Sequence, residues 1–307
     1  MIKNTRFFER SRPLAALRGI SFSLYEGETL GLIGESGCGK STLGKVIMGI
    51  HSATNGDLCY RGESILGKSR RERKALYKEI QIIFQDPYSS LDPRQTAASI
   101  IEEPMIIHGL GSKSERKARV RELLDMVGLN KFHAGRFPHE FSGGQRQRIN
   151  IARTLALNPR AIICDEPVSA LDVSVQAQIL NLIKELQGQF GLTYLFISHD
   201  LSVVKYMSDR IAIMYLGKII ELGASDEIYR NPLHPYTQAL FDAIPPDSPF
   251  EKKPDRPLEG EVPSPFNIPR GCPFSTRCPQ AASVCTAEEP SLRDTGSGHL
   301  LACVLGS

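Results

Sequence analysis

The stretch Gly34-Glu-Ser-Gly-Cys-Gly-Lys-Ser41 matches the phosphate-binding pattern G-x-x-x-x-G-K-[ST] at every fixed position. It follows the apolar run Leu30-Gly-Leu-Ile33 and precedes the helix-like segment Leu43-Gly-Lys-Val-Ile-Met48. Strand, glycine-rich loop and helix in this order direct backbone N–H groups at a helix N-terminus toward one centre, where they can hold phosphate. We name residues 34–41 the P-loop. We predict that Lys40 reaches the β- and γ-phosphates and that the Ser41 hydroxyl binds Mg²⁺.

Outside the P-loop, the chain up to about Arg230 alternates β-rich runs with helical patterns, which indicates an α/β fold. Apolar spacing at i, i+3, i+4 and i+7 predicts one helix that Ser114 caps and Gly128 ends, and a second that ends before Gly188. The predicted strands are Gly19–Tyr25, Thr29–Ile33, Gln81–Phe84, Ala161–Asp165, Thr193–Ser198, Arg210–Tyr215 and Lys218–Leu222.

Composition narrows the class of protein. The 307 residues are 41% hydrophobic and 23% charged, which is ordinary for a globular protein. The 37 Lys and Arg residues against 34 Asp and Glu residues are too evenly balanced for a chain that coats nucleic acid. Apolar runs reach only about six residues, as in Ile211–Leu216, whereas a membrane-spanning helix needs roughly 20. The first residues show no signal-peptide pattern, so we expect a soluble, cytoplasmic chain.

A second motif, which is acidic, supplies the carboxylates that the P-loop does not provide for binding Mg²⁺ and activating water. The strand-like run Ala161-Ile-Ile-Cys164 ends in the adjacent carboxylates Asp165 and Glu166. We predict that Asp165 holds Mg²⁺ mostly through water, because Mg²⁺ sheds its hydration reluctantly. Glu166 lies one residue further, where it can polarise the attacking water as a general base.

A further glycine-rich turn, Phe141-Ser-Gly-Gly-Gln145, lies between these two motifs and precedes a helical pattern. The Ser142 hydroxyl and the N–H groups of Gly143 and Gly144 offer a second anion site at a helix start. This site is separate from the P-loop in the sequence.

Taken together, the motifs resemble the ATP-binding cassette ATPases. The run Ser142-Gly-Gly-Gln145 is similar to the signature motif of that family, and Ser169-Ala-Leu-Asp172 is similar to its D-loop. Gln85 resembles the Q-loop glutamine that joins Mg²⁺ to the transmembrane partner, and His199 resembles the switch histidine that contacts the γ-phosphate. The resemblance covers roughly residues 14–225.

This resemblance implies a P-loop NTPase fold with a RecA-like core, an antiparallel β subdomain and an inserted α-helical subdomain. The resemblance also implies that hydrolysis uses Lys40, Gln85, Glu166 and His199. It implies that Mg²⁺ is held by Ser41, Gln85 and Asp165. The residues implied in binding ATP are Gly34, Glu35, Ser36, Gly37, Cys38, Gly39, Lys40, Ser41, Thr42, Gln85, Asp165, Ser142, Gly143, Gly144 and Gln145. An aromatic residue stacks on the adenine in this family, and only Phe7 and Phe8 precede the P-loop at a suitable place.

The part of the chain after Tyr236 is irregular and rich in proline. Thirteen of the twenty prolines in the whole sequence lie from Pro232 onward. Such a segment is too irregular for a packed α/β layer. It carries the pattern C-x5-C-x6-C-x17-C, formed by Cys272, Cys278, Cys285 and Cys303. Structural zinc sites use closer cysteine pairs, whereas four thiolates at wider spacing can ligate an iron–sulfur cluster. Zinc, with His299 as a substitute ligand, and free thiols remain open alternatives.

The run Asn231-Pro-Leu-His-Pro-Tyr-Thr-Gln-Ala-Leu240 and the cysteine tail resemble the C-terminal extension of the oligopeptide, dipeptide and nickel importer ATPases. This resemblance implies a [4Fe–4S] cluster on the four cysteines, and a division into a cassette, residues 1–230, and an extension, residues 231–307.

The same resemblance implies the ATP-binding subunit of a peptide importer on the cytoplasmic face of the inner membrane. Its expected partners are a second, distinct ATPase subunit, two transmembrane permeases and an extracytoplasmic substrate-binding protein. An importer of nickel or another small solute is the first alternative. A nucleic-acid-maintenance or translation ATPase is the second, but the sequence has no coiled-coil arm and no second cassette, so we expect no nucleic-acid partner.

Overall fold

The computed structural model describes residues 14–243, 260–296 and 298–306. Its strands are β1 (Thr29–Ile33), β2 (Cys59–Tyr60), β3 (Glu63–Ser64), β4 (Ile80–Ile83), β5 (Ala161–Asp165), β6 (Thr193–Ile197), β7 (Arg210–Tyr215), β8 (Lys218–Ala224), β9 (Arg293–Asp294) and β10 (Leu300–Leu301). Its helices are α1 (Lys40–Ile47), α2 (Arg70–Glu79), α3 (Ala97–Ile107), α4 (Lys113–Met126), α5 (Gly143–Leu155), α6 (Val173–Phe190), α7 (Leu201–Met207), α8 (Ser225–Arg230), α9 (Pro235–Asp242) and α10 (Ser283–Ala287). No helix in these ranges is long and apolar enough to span a membrane.

A mixed sheet of eight strands runs in the order β4-β5-β6-β1-β7-β8-β10-β9. The first five strands in this order are parallel, and β8, β10 and β9 are antiparallel to their neighbours. Every residue of β1 is buried, as expected for a parallel strand that is covered on both faces. The carboxyl ends of β4, β5, β6 and β1 therefore meet at one edge of the sheet, which is where the predicted motifs follow.

Most predicted strands are confirmed. The bounds of β1, β5 and β7 are those predicted, and those of β4, β6 and β8 differ by one or two residues. The predicted strand Gly19–Tyr25 is wrong, because these residues join no ladder. Ile20, Phe22 and Leu24 alternate toward the core as in a strand, so the pattern indicated burial without pairing. The implied antiparallel subdomain is reduced, among the described residues, to the hairpin β2–β3.

Two helix boundaries differ from the prediction. Helix α4 is capped by Ser112, and not by Ser114, because the Ser112 hydroxyl accepts from the Glu115 N–H in a capping box. Helix α6 continues through Gly188 and ends at Gly191, whose φ of 61° suits a glycine C-cap. A glycine inside a helix costs about 1 kcal/mol relative to alanine. Burial of the long apolar face of α6 outweighs this cost at Gly188.

Helices α3, α4 and α5 pack on one another and form a helical layer between β4 and β5 in chain order. Their buried faces include Ile101, Leu123 and Ile149. Gly128, with a φ of 74°, follows the end of α4 as predicted. This layer holds the signature-like residues at the start of α5.

The described part of the C-terminal extension adds to the main sheet, contrary to the expectation from its proline content. Leu300 pairs with Leu222 and Leu301 pairs with Glu221, so β10 covers the edge of β8. Phe274 and Cys285 are buried in the same core as the helices. The described part of the extension is therefore anchored on the cassette at β10, Phe274 and Cys285.

Candidate active site

The P-loop wraps around the N-terminus of α1. Gly37 and Gly39 have φ values of 80° and 110°, a left-handed conformation that glycine adopts without strain. A side chain at Gly39 would lie 2.6 Å from the carbonyl oxygen of Ala16, so the loop also requires glycine for space. The first N–H groups of a helix have no partner within it, and the loop directs them at one point. The segment is thus shaped to bind an anion.

Lys40 is buried at the start of α1. Its Nζ donates to the carbonyl oxygens of Gly34 at 2.6 Å and Glu35 at 3.1 Å. These acceptors are neutral, so the ammonium charge stays available to a phosphate group.

Two of the three predicted Mg²⁺ ligands, Ser41 and Asp165, are hydrogen-bonded to each other, while the amide of the third, Gln85, donates to Glu166. The Ser41 hydroxyl donates to Oδ1 of Asp165 at 2.8 Å, at the end of β5. Burial raises the pKa of Asp165 above its ordinary value, while the hydrogen bond from Ser41 acts in the opposite direction. A hydroxyl and a carboxylate beside the phosphate-binding loop fit a hard cation that prefers oxygen ligands.

Two residues predicted to act in hydrolysis contact the carboxylate of a third, Glu166. Gln85 Nε2 donates to Oε2 of Glu166 at 2.8 Å, and Nδ1 of His199 lies 3.3 Å from the same oxygen. The Glu166 side chain is 13% exposed and that of His199 is 59% exposed, so Glu166 sits inside the site and His199 at its rim. The elements β4, β5 and β6 bring these side chains together, because each residue follows the carboxyl end of its strand.

Glu166 has a backbone conformation that is rare for its residue type. Its φ is 47°, and such left-handed non-glycine residues cost about 1–3 kcal/mol. The Glu166 N–H donates to the carbonyl oxygen of Ile197 at 3.0 Å, and the Ser169 hydroxyl donates to the Glu166 carbonyl at 3.2 Å. The end of β6 and Ser169 therefore hold the backbone of Glu166 in this conformation.

The P-loop forms the floor of a cavity of about 260 Å³. Gln85 and Glu166 line its polar side. The remaining lining is mainly apolar and consists of Leu14, Ala15, Ala16, Leu216, Gly217, Pro265 and Ile268. Pro265 and Ile268 come from the C-terminal extension, and no local sequence signal marks them, because their position depends on how the extension packs. The predicted adenine contacts Phe7 and Phe8 lie outside the described residues.

The signature-like motif lies elsewhere on the chain. Ser142 is exposed and caps α5, where its hydroxyl accepts from the Gln145 N–H at 3.3 Å. A Cβ atom at Gly144 would overlap a methyl group of Val175, so α5 and α6 approach closely at this point. None of residues 142–145 lines the P-loop cavity, so one chain does not bring the motif to its own P-loop.

The four C-terminal cysteines are near one another, but they do not form a ready metal site. Burial raises the pKa of Cys272, and the other three thiols raise it further. Among the described residues, no three His, Cys, Asp or Glu side chains are placed to hold a metal ion. All four cysteines are free thiols, so the structure does not support the predicted cluster.

The structure does not support His299 as a zinc ligand either. His299 Nε2 lies 2.7 Å from Oε1 of Glu221, and both side chains are buried. Glu221 also accepts the N–H groups of Leu233 and His234, at 2.8 and 3.0 Å. His299 therefore belongs to a buried network that joins the extension to β8.

Comparisons with known proteins agree with this geometry. The profile described as ABC transporter matches residues 17–169, and the profile described as oligopeptide/dipeptide transporter, C-terminal region, matches residues 220–285. The oligopeptide transport ATP-binding protein AppF of Bacillus subtilis is 52% identical over 100% of this chain and 94% of its own length. The dipeptide transport ATP-binding protein DppF of Escherichia coli is 49% identical over 96% of this chain and 88% of its own length.

A solved structure of a dimeric ATP-binding cassette, in a post-hydrolysis state with ADP and Pi, has the same fold. Its TM-score is 0.62 and its sequence identity is 32%, and the match covers 68% of this chain and 90% of that chain. This chain thus has both the fold of a known cassette and a match to the C-terminal profile.

Proposed function

The chain belongs to the ABC transporter family of ATPases, and we propose that it is the ATP-binding subunit of an importer that takes up oligopeptides or dipeptides. The observation that carries this proposal is the convergence of Gln85 and His199 on Glu166 beside a complete P-loop. The C-terminal region and the names of the relatives support the peptide class of substrate.

The residues have the following roles in the proposed reaction. The P-loop N–H groups and Lys40 hold the β- and γ-phosphates. Ser41 and Asp165 hold Mg²⁺, which when bound neutralises charge on the phosphates. Glu166 accepts a proton as the water oxygen bonds to the γ-phosphorus, and the bond to the β-phosphate oxygen breaks to release ADP.

Hydrolysis requires a second cassette in this proposal. The exposed Ser142 and the D-loop face solvent, where the P-loop of a head-to-tail partner can reach them. We propose that the partner is a distinct ATPase subunit and that the pair docks on two permeases at the cytoplasmic face of the inner membrane. A substrate-binding protein outside the membrane would select the peptide.

The test is uptake by membrane vesicles that contain the chain and the membrane proteins with which it copurifies. We expect ATP-dependent uptake of labelled peptide, and we expect Glu166→Gln to reduce ATP turnover by at least about 100-fold while MgATP binding persists. Glu63→Gln is the matched control, because the exposed Glu63 pairs only with Lys68 at the surface among the described residues. Uptake of nickel without uptake of peptide, or copurification with nucleic acid, would contradict the substrate class.

We also propose the division at residue 230 and, as a separate matter, a [4Fe–4S] cluster on the four cysteines. The C-terminal profile, which matches residues 220–285, supports a separate C-terminal region, and the mutual proximity of the thiols supports the cluster, although the thiols are not arranged as ligands here. Anaerobically purified protein should contain iron and absorb at about 400 nm. Colourless protein with four titratable C-terminal thiols would exclude the cluster.

A further inference from the structure

A charged side chain of the C-terminal extension contacts the P-loop and has no part in the reaction above. Arg277 donates from Nη1 to Oε2 of Glu35 at 2.9 Å and from Nη2 to Oε1 at 3.1 Å. The Arg277 side chain is only 5% exposed and that of Glu35 is 25% exposed. Such a bidentate pair fixes both the distance and the orientation of the carboxylate.

The backbone of Glu35 is held by the same part of the molecule. Its N–H donates to the Tyr236 hydroxyl at 3.0 Å. Tyr236 packs against Tyr215 and Phe274, with ring centroids 4.7 and 5.4 Å apart. Phe274 lies in the same turn, residues 273–277, as Arg277. An aromatic cluster therefore anchors the turn that presents the guanidinium group.

The position of Glu35 gives this contact a consequence for nucleotide binding. Glu35 is a carboxylate inside the loop that receives a triphosphate, and like charges repel most strongly where water is excluded. Its carbonyl oxygen also accepts from Lys40, the residue predicted to reach the phosphates. Arg277 therefore neutralises the carboxylate of Glu35 and restrains the residue whose carbonyl oxygen accepts from Lys40.

We propose that Arg277 is a positioning residue for ATP, which sets the affinity of the P-loop for MgATP by holding Glu35 and neutralising its charge. The proposal rests on ATP binding by the P-loop and is independent of the transported substrate. It makes the extension part of the nucleotide site, together with Pro265 and Ile268 on the cavity wall.

The test is direct binding of MgATP to the purified full-length chain, which requires no turnover. We expect Arg277→Ala to raise the Kd about tenfold, which corresponds to about 1.4 kcal/mol. Arg277→Lys should recover only part of the affinity, because an ammonium group cannot form the bidentate pair. The double variant Arg277→Ala/Glu35→Gln should bind more tightly than Arg277→Ala, because no unpaired carboxylate remains in the loop.

Glu289→Gln separates this role from simple attachment of the extension. Glu289 also joins the extension to the cassette, through Arg18 at 2.7 Å and Lys218 at 3.0 Å, but neither of these two partners belongs to the P-loop. We expect this control to lower the melting temperature without changing the Kd.

Three outcomes would overturn the proposal: an unchanged Kd in Arg277→Ala, an equal change of Kd in Glu289→Gln, or a double variant no tighter than Arg277→Ala. If Arg277→Ala does not fold, Arg277→Lys and Arg277→Gln provide the same comparison, and an unchanged Kd in both would overturn it. Failure of the unmodified chain to bind MgATP would instead contradict the proposed function.

Discussion

Asp165, which we propose as a Mg²⁺ ligand, is a buried carboxylate whose charge reduces stability. It is 3% exposed, and Ser41 is its hydrogen-bond donor. Burial raises its pKa, so the folded state binds a proton more readily than the unfolded state does. Its charge therefore lowers the free energy of unfolding as pH rises through the folded pKa, and the full cost is present above that pKa.

We predict that Asp165→Asn raises the free energy of unfolding at pH 7, measured by urea denaturation without nucleotide or Mg²⁺. The neutral amide can still accept from Ser41 and loses no charge hydration. The difference from the unmodified chain should vanish by about pH 3, where both side chains are neutral. ATP turnover should be lost at every pH. A variant less stable than the parent at pH 7 would contradict this account.

At the scale of the helices, two glycines make a matched pair. Gly144 lies in α5, where a Cβ atom would overlap a methyl group of Val175, whereas a Cβ atom at Gly188 in α6 would meet nothing within 4 Å. We predict that Gly144→Ala lowers the free energy of unfolding by about 1–3 kcal/mol through overpacking.

Gly188→Ala should instead raise the free energy of unfolding by about 0.5–1 kcal/mol, because alanine has the higher helix propensity. Thermal or urea denaturation of both variants measures the contrast. Equal effects of the two substitutions would show that the contact between α5 and α6 is not as tight as described.

The start of α9 supplies a pH dependence. His234 caps this helix by accepting from the Tyr236 N–H at 3.0 Å, and burial lowers its pKa to about 3. Between about pH 6.5 and pH 3 the unfolded chain binds a proton that the folded chain does not. Stability should therefore fall on acidification, by up to about 1.4 kcal/mol per pH unit from this residue.

His234→Asn retains a capping side chain but does not titrate. We predict that its free energy of unfolding depends less steeply on pH than that of the parent over this window, measured by urea denaturation at a series of pH values. Identical slopes would exclude His234 as the source.

At the scale of the whole molecule, the buried pair between His299 and Glu221 joins the extension to β8. We predict that His299→Ala lowers the free energy of unfolding by about 1.5–3 kcal/mol, because Glu221 loses a hydrogen-bond partner that water cannot replace. Far-ultraviolet dichroism and tyrosine fluorescence should report one shared transition in the parent. Two separate transitions would show that the extension unfolds independently of the cassette.

The sequence predicted the cassette well and the extension poorly, for different physical reasons. The site residues follow strands whose apolar runs are local signals, so Asp165 and His199 could be placed without the structure. Residues 19–25 had the same signal, but pairing depends on partners that a local pattern does not contain. No local pattern around Arg277 predicts its contact, because its partner Glu35 is 242 residues away.

Because Glu35 and Arg277 are far apart in the sequence, the ribosome synthesises Glu35 well before its partner. Ribosomes add about 5–20 residues per second, so the 242 residues between Glu35 and Arg277 take roughly 12–48 s. During this interval the nascent cassette carries its P-loop without the guanidinium group that pairs with Glu35. A chain that ends before residue 277 never acquires that partner. The P-loop is thus completed by a residue that is synthesised 242 positions after Glu35.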